Sequence, residues 1–327
     1  MSAEEYKNGK ILQMYRIGID LGGTFIAAGL VDESLRILDK LSVPTNAPRS
    51  MAGIADDMAA LTGKLLERSG LRREEISAVG VGVPGTANRE NGHLEDANNL
   101  GFDDEPFVSV LEERLGLPVR FGNDANAAAW GEYQAGGGRE DSFVMMTIGT
   151  GIGGGVILNG KLWDGINGAA AEFGHMTIRY DGVPCTCGRT GCFEAYASAT
   201  ALIRQARERM AADRDTLLWK LCGGEPDRVE ARTVFEGAAA GDKACRALLD
   251  TYTTYLAEGT ANIINLFQPA VLCVGGGVSR AGEALLAPLR EKTARRIYSQ
   301  NAKQNTQIIL AQLDNDAGII GAALLEP

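Results

Sequence analysis

The sequence predicts an α/β protein built from two similar halves that face each other across a cleft. Three observations carry that prediction. A strand, glycine turn, strand unit occurs twice, in "YRIGIDLGGTFIAAGLVD" (15–32) and again in "SFVMMTIGTGIGGGVILNGKLW" (142–163). Short apolar strands alternate with helical segments along the rest of the chain. With 327 residues, 45% of them hydrophobic and 42 of them glycine, the chain has material for about two domains.

The elements follow in order. In 15–32, alternating β-rich segments flank Gly22-Gly23. "RILDKLSVP" is a third strand that ends at Pro44. Ser50 is placed to cap a helix whose Ile54, Met58, Leu61 and Leu65 recur every three or four residues until Gly70 stops it. "AVGVGVPG" (78–85) reads as a buried strand, 106–115 as a helix, "PVRFGN" as a strand, and Asp124 to about Gln134 as an alanine-rich helix. In the second unit Asn159-Gly160 supplies a two-residue hairpin turn. Helices over roughly 196–265, the strand "AVLCVGGGV" (270–278), more helix to about 297, the strand "TQIILAQL" and a closing helix from Asp316 complete it. The stretches "TANRENGHLED" and "GFDDEPF" (101–107) read as solvated loops, His93 as a surface histidine, and Cys222, Cys245 and Cys273 as structural thiols.

Charge and the N-terminus narrow the function classes. A formal net charge of −10 argues against general nucleic-acid or anionic-membrane binding, since both need a basic footprint. The opening "MSAEEYKNGK" is polar and acidic with no apolar segment behind it, and no apolar run reaches the roughly 18 residues a membrane span requires. A cytoplasmic protein is expected. Residues 1–14 read as an N-terminal extension, because "MYRIGID" looks like a natural start at Met14.

The densest chemistry lies in "HMTIRYDGVPCTCGRTGCFEAY" (175–196), which holds three of the six cysteines and one of the two histidines. Disulfides fit badly: one residue separates Cys185 from Cys187, and three cysteines leave an odd thiol. Zinc fits better. His175, Cys185, Cys187 and Cys192 make a Cys₃His set, a closed tetrahedral site with no position for a catalytic water. Gly182, Pro184, Gly188 and Gly191 allow the tight turns such a loop needs.

The glycine turns point to phosphate. Backbone N–H groups freed by glycine converge on phosphate oxygens, and Thr24 and Thr150 add hydroxyls. The pattern GxxxxGK[ST] is absent, which excludes a Walker-type site. Two GxGxxG matches, at 80–85 and 149–154, lead into a polar loop and a strand instead of the helix that a dinucleotide fingerprint needs. Taken with the "GGG" at 275–277, the paired turns favour a nucleotide spread across the cleft.

"DLGGT", "NDAN", "GTGIGGG", "EFGH" followed by "CTCGRTGCFE", and "VGGGVS" occur in the order seen in the ROK family of repressors, open reading frames and kinases. The chain resembles that family from about residue 15 to its end, and the H-x9-C-x-C-G-x2-G-C-x-E element is the most specific part. The resemblance implies the duplicated, two-lobed actin, Hsp70 and hexokinase-like fold. It divides the chain into a small lobe over 15–123, with a C-terminal helix of about 316–327 packing back on it, and a large lobe over 124–315 that carries the zinc loop 175–192.

The family's kinases transfer the γ-phosphoryl group of ATP to a sugar hydroxyl. By resemblance, Asp124 is the general base that takes the proton of the attacking hydroxyl. Asn123 or Asp124 also suits a helix N-cap, and a helix N-terminus is expected to hold Asp124 ionised. The implied sugar ligands are Asn99, Asn123, Asp124, Glu172, His175 and Glu194. Asp20, Gly22, Gly23 and Thr24 resemble the first phosphate element, with Asp20 near Mg²⁺; Thr150, Gly151 and Gly153 resemble the second, and Gly276 and Gly277 the adenosine element. The zinc would fix one nitrogen of His175 and leave the other to the sugar. Phe25 stands where many relatives carry a polar or basic residue.

An ATP-dependent glucokinase that forms glucose 6-phosphate, with ATP, Mg²⁺ and Zn²⁺ and as a homodimer, is the implied function. Kinases for N-acetylmannosamine, N-acetylglucosamine or fructose, and polyphosphate as donor, are the alternatives. A sugar-sensing repressor would need a DNA-binding module before the first strand, where about fifteen residues are too few. A zinc-stabilised sugar-binding module without chemistry leaves the phosphate turns without a purpose.

Overall fold

The computed structural model describes residues 14–97, 100–136 and 140–326; residues 1–13 of the expected extension and Asn99 lie outside the described residues. The first half runs β1 (Tyr15–Leu21), β2 (Phe25–Val31), β3 (Ile37–Pro44), α1 (Met51–Ser69), β4 (Ile76–Val83), β5 (Thr86–Asn88), β6 (His93–Ala97), β7 (Phe102–Glu105), α2 (Phe107–Leu115), β8 (Val119–Asn123) and α3 (Asp124–Ala135). The second runs β9 (Ser142–Ile148), β10 (Ile152–Leu158), β11 (Lys161–Trp163), α4 (Glu194–Ala197), α5 (Ala199–Ala212), α6 (Leu218–Leu221), α7 (Ala231–Ala239), α8 (Lys243–Phe267), β12 (Val271–Gly275), α9 (Glu283–Ala294), β13 (Gln307–Leu310) and α10 (Asp316–Ala323). No helix among the described residues is long and apolar enough to cross a membrane.

The duplication is visible in the sheets. Their strand orders are β3-β2-β1-β4-β8 and β11-β10-β9-β12-β13, so each half is an antiparallel meander followed by two parallel additions. Ile17, Ile19 and Leu21 of β1 are wholly buried, as are Val144, Met146 and Ile148 of β9, which places each central strand in its own core. Helix α1 forms as its spacing dictates: Ile54, Met58, Leu61 and Leu65 are buried, the Ser50 side chain accepts from the Gly53 N–H, and Gly70 closes the helix at φ 69°. Asn159 and Gly160 turn the β10–β11 hairpin with φ of 52° and 71°, the signature of a tight primed turn.

One region departs from expectation. Where polar loops were expected, β5, β6 and β7 form a three-stranded antiparallel sheet. The strands are three to five residues long, and only Ala87, Leu94, Ala97 and Phe102 point into the first core, too few for a visible alternation. His93 is on β6, with Nδ1 2.7 Å from an Asp104 carboxylate oxygen.

Helices α3 and α10 hold the two halves together, and they cross at backbone distance. A Cβ on Gly321 would lie 1.7 Å from the Ala127 carbonyl, and one on Gly131 would lie 2.1 Å from the Ala317 carbonyl. Helix α10 also rests directly on the first sheet, where a Cβ on Gly18 or Gly80 would lie 1.8 Å from a carbonyl of Ile319 or Ala322. On its other side α3 meets β10, with Gly155 making room for Ala129. Gly321→Ala is therefore expected to cost on the order of 2–4 kcal/mol, because rigid backbone is what must move. Gly63→Ala, inside α1 with nothing within 4 Å of the added carbon, should instead stabilise by roughly 0.5–1 kcal/mol. Urea unfolding of the two variants beside the parent checks both signs.

Candidate active site

In open α/β sheets ligands collect beyond the carboxyl ends of parallel strands. Here β1, β4 and β8 run parallel, and their ends deliver Asp20, Gly82 and the Asn123-Asp124 junction to one place. Gly82 lets the strand end and the helix start approach closely, since an added Cβ would lie 3.3 Å from the Asp124 Cα. The two residues of the junction divide their work. Asn123 is the cap: its side-chain oxygen accepts from the N–H groups of Ala125 at 3.0 Å and Asn126 at 3.1 Å, while its amide donates to the Gly85 carbonyl at 3.2 Å. Asp124 is the first residue of α3, and its Oδ1 accepts from the Ala125 N–H at 2.8 Å.

Electrostatics at Asp124 run against the helix-terminus expectation. Burial raises its pKa from the ordinary 3.8 to about 7; the Asp20 and Glu172 charges push it the same way, and the Ala125 N–H offsets only part. Desolvation thus outweighs the favourable helix end. Burial alone raises Asp20 to about 6. Glu172 is also raised, by desolvation first and then by Glu194, with His175 pulling the other way. Asp20, Asp124, Glu172, His175 and Glu194 therefore sense one another in a single electrostatic cluster, although up to 174 residues separate them in sequence.

Glu172 and Glu194 come from the second half, and phenylalanine neighbours hold them. Phe173 packs into the space that Gly154 leaves open on β10, and Phe193 fills the space at Gly259 on α8. Glu194 reaches over the second glycine turn, where its Oε2 accepts from the Ile152 N–H at 2.8 Å and leaves no room for a side chain on Gly151. This link spans 42 residues, and nothing in the local sequence announces it.

The three glycine turns lie at corresponding strand ends. Gly22, Gly23 and Thr24 join β1 to β2, and the buried Thr45 secures them, with its hydroxyl on the Gly22 carbonyl at 2.6 Å. Thr150 and Gly151 join β9 to β10; the Thr200 hydroxyl donates to the Thr150 carbonyl at 2.8 Å. Gly153 lies within β10 against Ala125 of α3, which brings the second turn beside the start of that helix. Gly276 follows β12 at φ 84° and lies on the backbone of Ile148, so the second and third turns are adjacent; Gly277 is open to solvent. Thr45 and Thr200 were not singled out from sequence, because a hydroxyl that ties down a distant turn leaves no local pattern. Phe25 is 55% exposed beside the first turn. Neither GxGxxG match opens a helix: the first ends β4 and leads into β5, the second enters β10.

The donor atoms of His175, Cys185, Cys187 and Cys192 all lie within 4.8 Å of one another. Cys185 Sγ is 3.7 Å from His175 Nδ1, and Cys187 Sγ is 3.7 Å from Cys192 Sγ. Tetrahedral zinc with Zn–S of about 2.3 Å needs ligand edges of about 3.6–3.8 Å, so the spacing fits that ion. Charge agrees. Burial, then the neighbouring thiols of Cys187 and Cys185, push Cys192 up to about 12, while the Arg189 backbone N–H lowers Cys187; a cation among them would let all three ionise. The loop is shaped by Gly188 and Gly191 at φ 84° and 75°, by paired Pro184 and Thr190, and by paired Thr177 and Cys192.

Known proteins match the chain over most of its length. The ROK family profile matches residues 16–327. A glucokinase of Streptomyces coelicolor is 41% identical over 314 residues, which cover 94% of this chain and 96% of that protein. An N-acetylmannosamine kinase of Escherichia coli is 34% identical over 312 residues, covering 95% and 98%. Among solved structures, a ROK family glucokinase from Streptomyces griseus in complex with glucose and AMPPNP superposes with a TM-score of 0.85 at 40% identity, covering 95% of this chain and 99% of that one.

The raised pKa of Asp124 has a thermodynamic consequence. Between pH 3.8 and about 7 the folded protein keeps a proton that the unfolded chain has released, so this group's contribution to stability is lost as pH rises through that window. Asp124→Asn removes the titration. The ligand-free variant should gain on the parent from about pH 4 to pH 7 and stay ahead by on the order of 2–4 kcal/mol above it. Urea unfolding at several pH values reads the gap; one that does not widen with pH would contradict the assignment.

Proposed function

The chain belongs to the ROK family, and from that premise we propose that it is an ATP-dependent hexose kinase whose acceptor is glucose, phosphorylated at its 6-hydroxyl. The observation that carries this reading is the Asp124 carboxyl, half-buried between two sets of glycine turns, with a pKa that desolvation and neighbouring carboxylates raise to about 7. A general base works best when its pKa lies near the operating pH. The family resemblance supports glucose first: the glucokinase relative is 41% identical and the N-acetylmannosamine kinase relative 34%.

In the proposed mechanism the Asp124 carboxylate accepts the proton of the sugar hydroxyl as that oxygen attacks the γ-phosphorus. Glu172, His175 and Glu194 orient the sugar by accepting from or donating to its other hydroxyls. Asn123 contributes one amide N–H, since its oxygen and other N–H are occupied by the cap and by Gly85. Asn99 is proposed as a further ligand. Gly22, Gly23 and Thr24 on one side, and Thr150, Gly151 and Gly153 on the other, offer N–H and hydroxyl donors to the phosphates, with Gly276 and Gly277 beside the nucleoside. Asp20 would hold Mg²⁺, which neutralises phosphate charge. His175, Cys185, Cys187 and Cys192 would hold Zn²⁺ in a closed set, where it fixes His175 through Nδ1 and leaves Nε2 for the sugar.

ADP release from Mg-ATP against glucose, mannose, fructose, N-acetylglucosamine and N-acetylmannosamine tests the reading. Glucose should lead; another leading sugar moves the acceptor, and no turnover with any of them removes the assignment. Asp124→Asn should bind glucose with near-parental affinity while turnover falls by roughly 10³-fold or more, as expected for loss of a general base. Cys187→Ser should carry less than one zinc per chain by atomic emission and bind glucose more weakly; parental glucose affinity in zinc-free protein would sink the positioning role.

A further inference from the structure

Among the described residues a side-chain ion pair joins the two halves beside the segment that leads to Glu172. Arg89, in the turn between β5 and β6 of the first half, pairs with Asp164, which follows β11 in the second. Both are only partly open to solvent, with side chains 35% and 24% exposed. Beside them, Gly168 at φ 78° lies against the Ala87 carbonyl, where an added Cβ would come within 2.8 Å. Residues 164–171 of the second half therefore rest on the small sheet of the first.

This segment leads directly to Glu172. At one end Trp163 packs against Phe267; at the other Phe173 is seated at Gly154 and also meets Phe267. Between those anchors the segment has few ties of its own. The Ala170 N–H donates to the Asp164 carbonyl at 3.0 Å, and the Ala169 N–H donates to the Asn167 side chain at 3.3 Å. Ala171 is held at φ 64°, the left-handed region an alanine rarely takes, immediately before Glu172. Ile166 at the apex is fully exposed. The position of the segment relative to the first half is thus set by Arg89 and by the backbone contact at Gly168.

We propose that Arg89 and Asp164 are positioning residues for the acceptor: their ion pair holds segment 164–171 against the first half and so places Glu172 over the sugar. Neither touches the reacting atoms. Their contribution is to sugar affinity, because a segment already docked leaves less ordering for the sugar to accomplish on binding. An exposed ion pair contributes little, but this one is partly buried and joins the two halves of the chain.

The inference rests on the hexose kinase reading, so the test uses whichever sugar leads the acceptor panel. Arg89→Glu and Asp164→Arg each place like charges at this contact, and each is expected to raise KM for the sugar at least five-fold with kcat within two-fold of the parent. Calorimetric titration of the sugar without nucleotide should show the same loss. The double variant R89E/D164R restores opposite charges and should bring KM back to within two-fold. Single variants with parental KM, or a double variant as impaired as the singles, would overturn the proposal. A panel in which the parent phosphorylates no hexose would instead overturn the function on which it rests.

Discussion

The crossing of α3 and α10 is the contact on which the rest of the molecule depends. Glycine on each helix, at Gly131 and Gly321, brings the two backbones closer than any side chain would allow. Gly18 and Gly80 repeat the arrangement where α10 lies on β1 and β4. A contact of this kind has no rotamers to rearrange, so it fixes the relative height of the two sheets. Asp124 is the first residue of α3, and its position against the end of β4 and the turn after β9 follows from where the crossing holds that helix.

Burial at that position sets the chemistry. Asp20, Asp124, Glu172 and Glu194 share one region with the His175 imidazole, and the shifts at Asp20, Asp124 and Glu172 are all upward. Such a cluster costs folding free energy at neutral pH. It also suits a site that receives hydroxyl donors and a cation: carboxylates without internal partners retain their full capacity to accept from a ligand. The exceptions are Asp124, which accepts the Ala125 N–H, and Glu194, which accepts the Ile152 N–H and so stiffens the second glycine turn. A single carboxylate thereby connects the region read as acceptor site with one read as phosphate site.

Much of this arrangement was legible in the chain because it is local. Repetition of the strand, glycine turn, strand unit predicted two sheets of matching order, and the capping pattern around Ser50 and Gly70 predicted α1. The Cys/His cluster was legible for the same reason: loops of one to nine residues between its members leave few ways to arrange four soft side chains. What the sequence withheld depends on distance or on competition between local effects. Residues 123–124 offered two candidates for one cap, and the tertiary position gave it to Asn123 while partly desolvating Asp124. Strands β5 to β7 are too short to carry a period. The Glu194–Ile152 and Arg89–Asp164 contacts join segments 42 and 75 residues apart, which no spacing rule connects.

A metal held by the Cys₃His cluster, as proposed, raises the question of what it would add to a loop already packed. Glu172 and Glu194 each stand next to a buried phenylalanine, and Phe173 and Phe193 are seated in spaces left by Gly154 and Gly259. Those anchors do not involve the metal donors, so both carboxylates keep their approximate places without an ion. His175 is different. Its 3₁₀ turn, Phe173–His175, fixes the backbone, and Gly174 is pressed against the Ile152 carbonyl, but among the described residues no hydrogen bond to carboxylate or carbonyl orients the imidazole, and Nδ1 lies 3.7 Å from Cys185 Sγ. A ring in that setting can rotate about χ2 and exchange tautomers. Coordination through Nδ1 would remove both freedoms, leaving Nε2 as a fixed donor on the side of Glu172. On this argument a metal held there would act chiefly through one imidazole, while side-chain packing would supply the rest of the proposed sugar site.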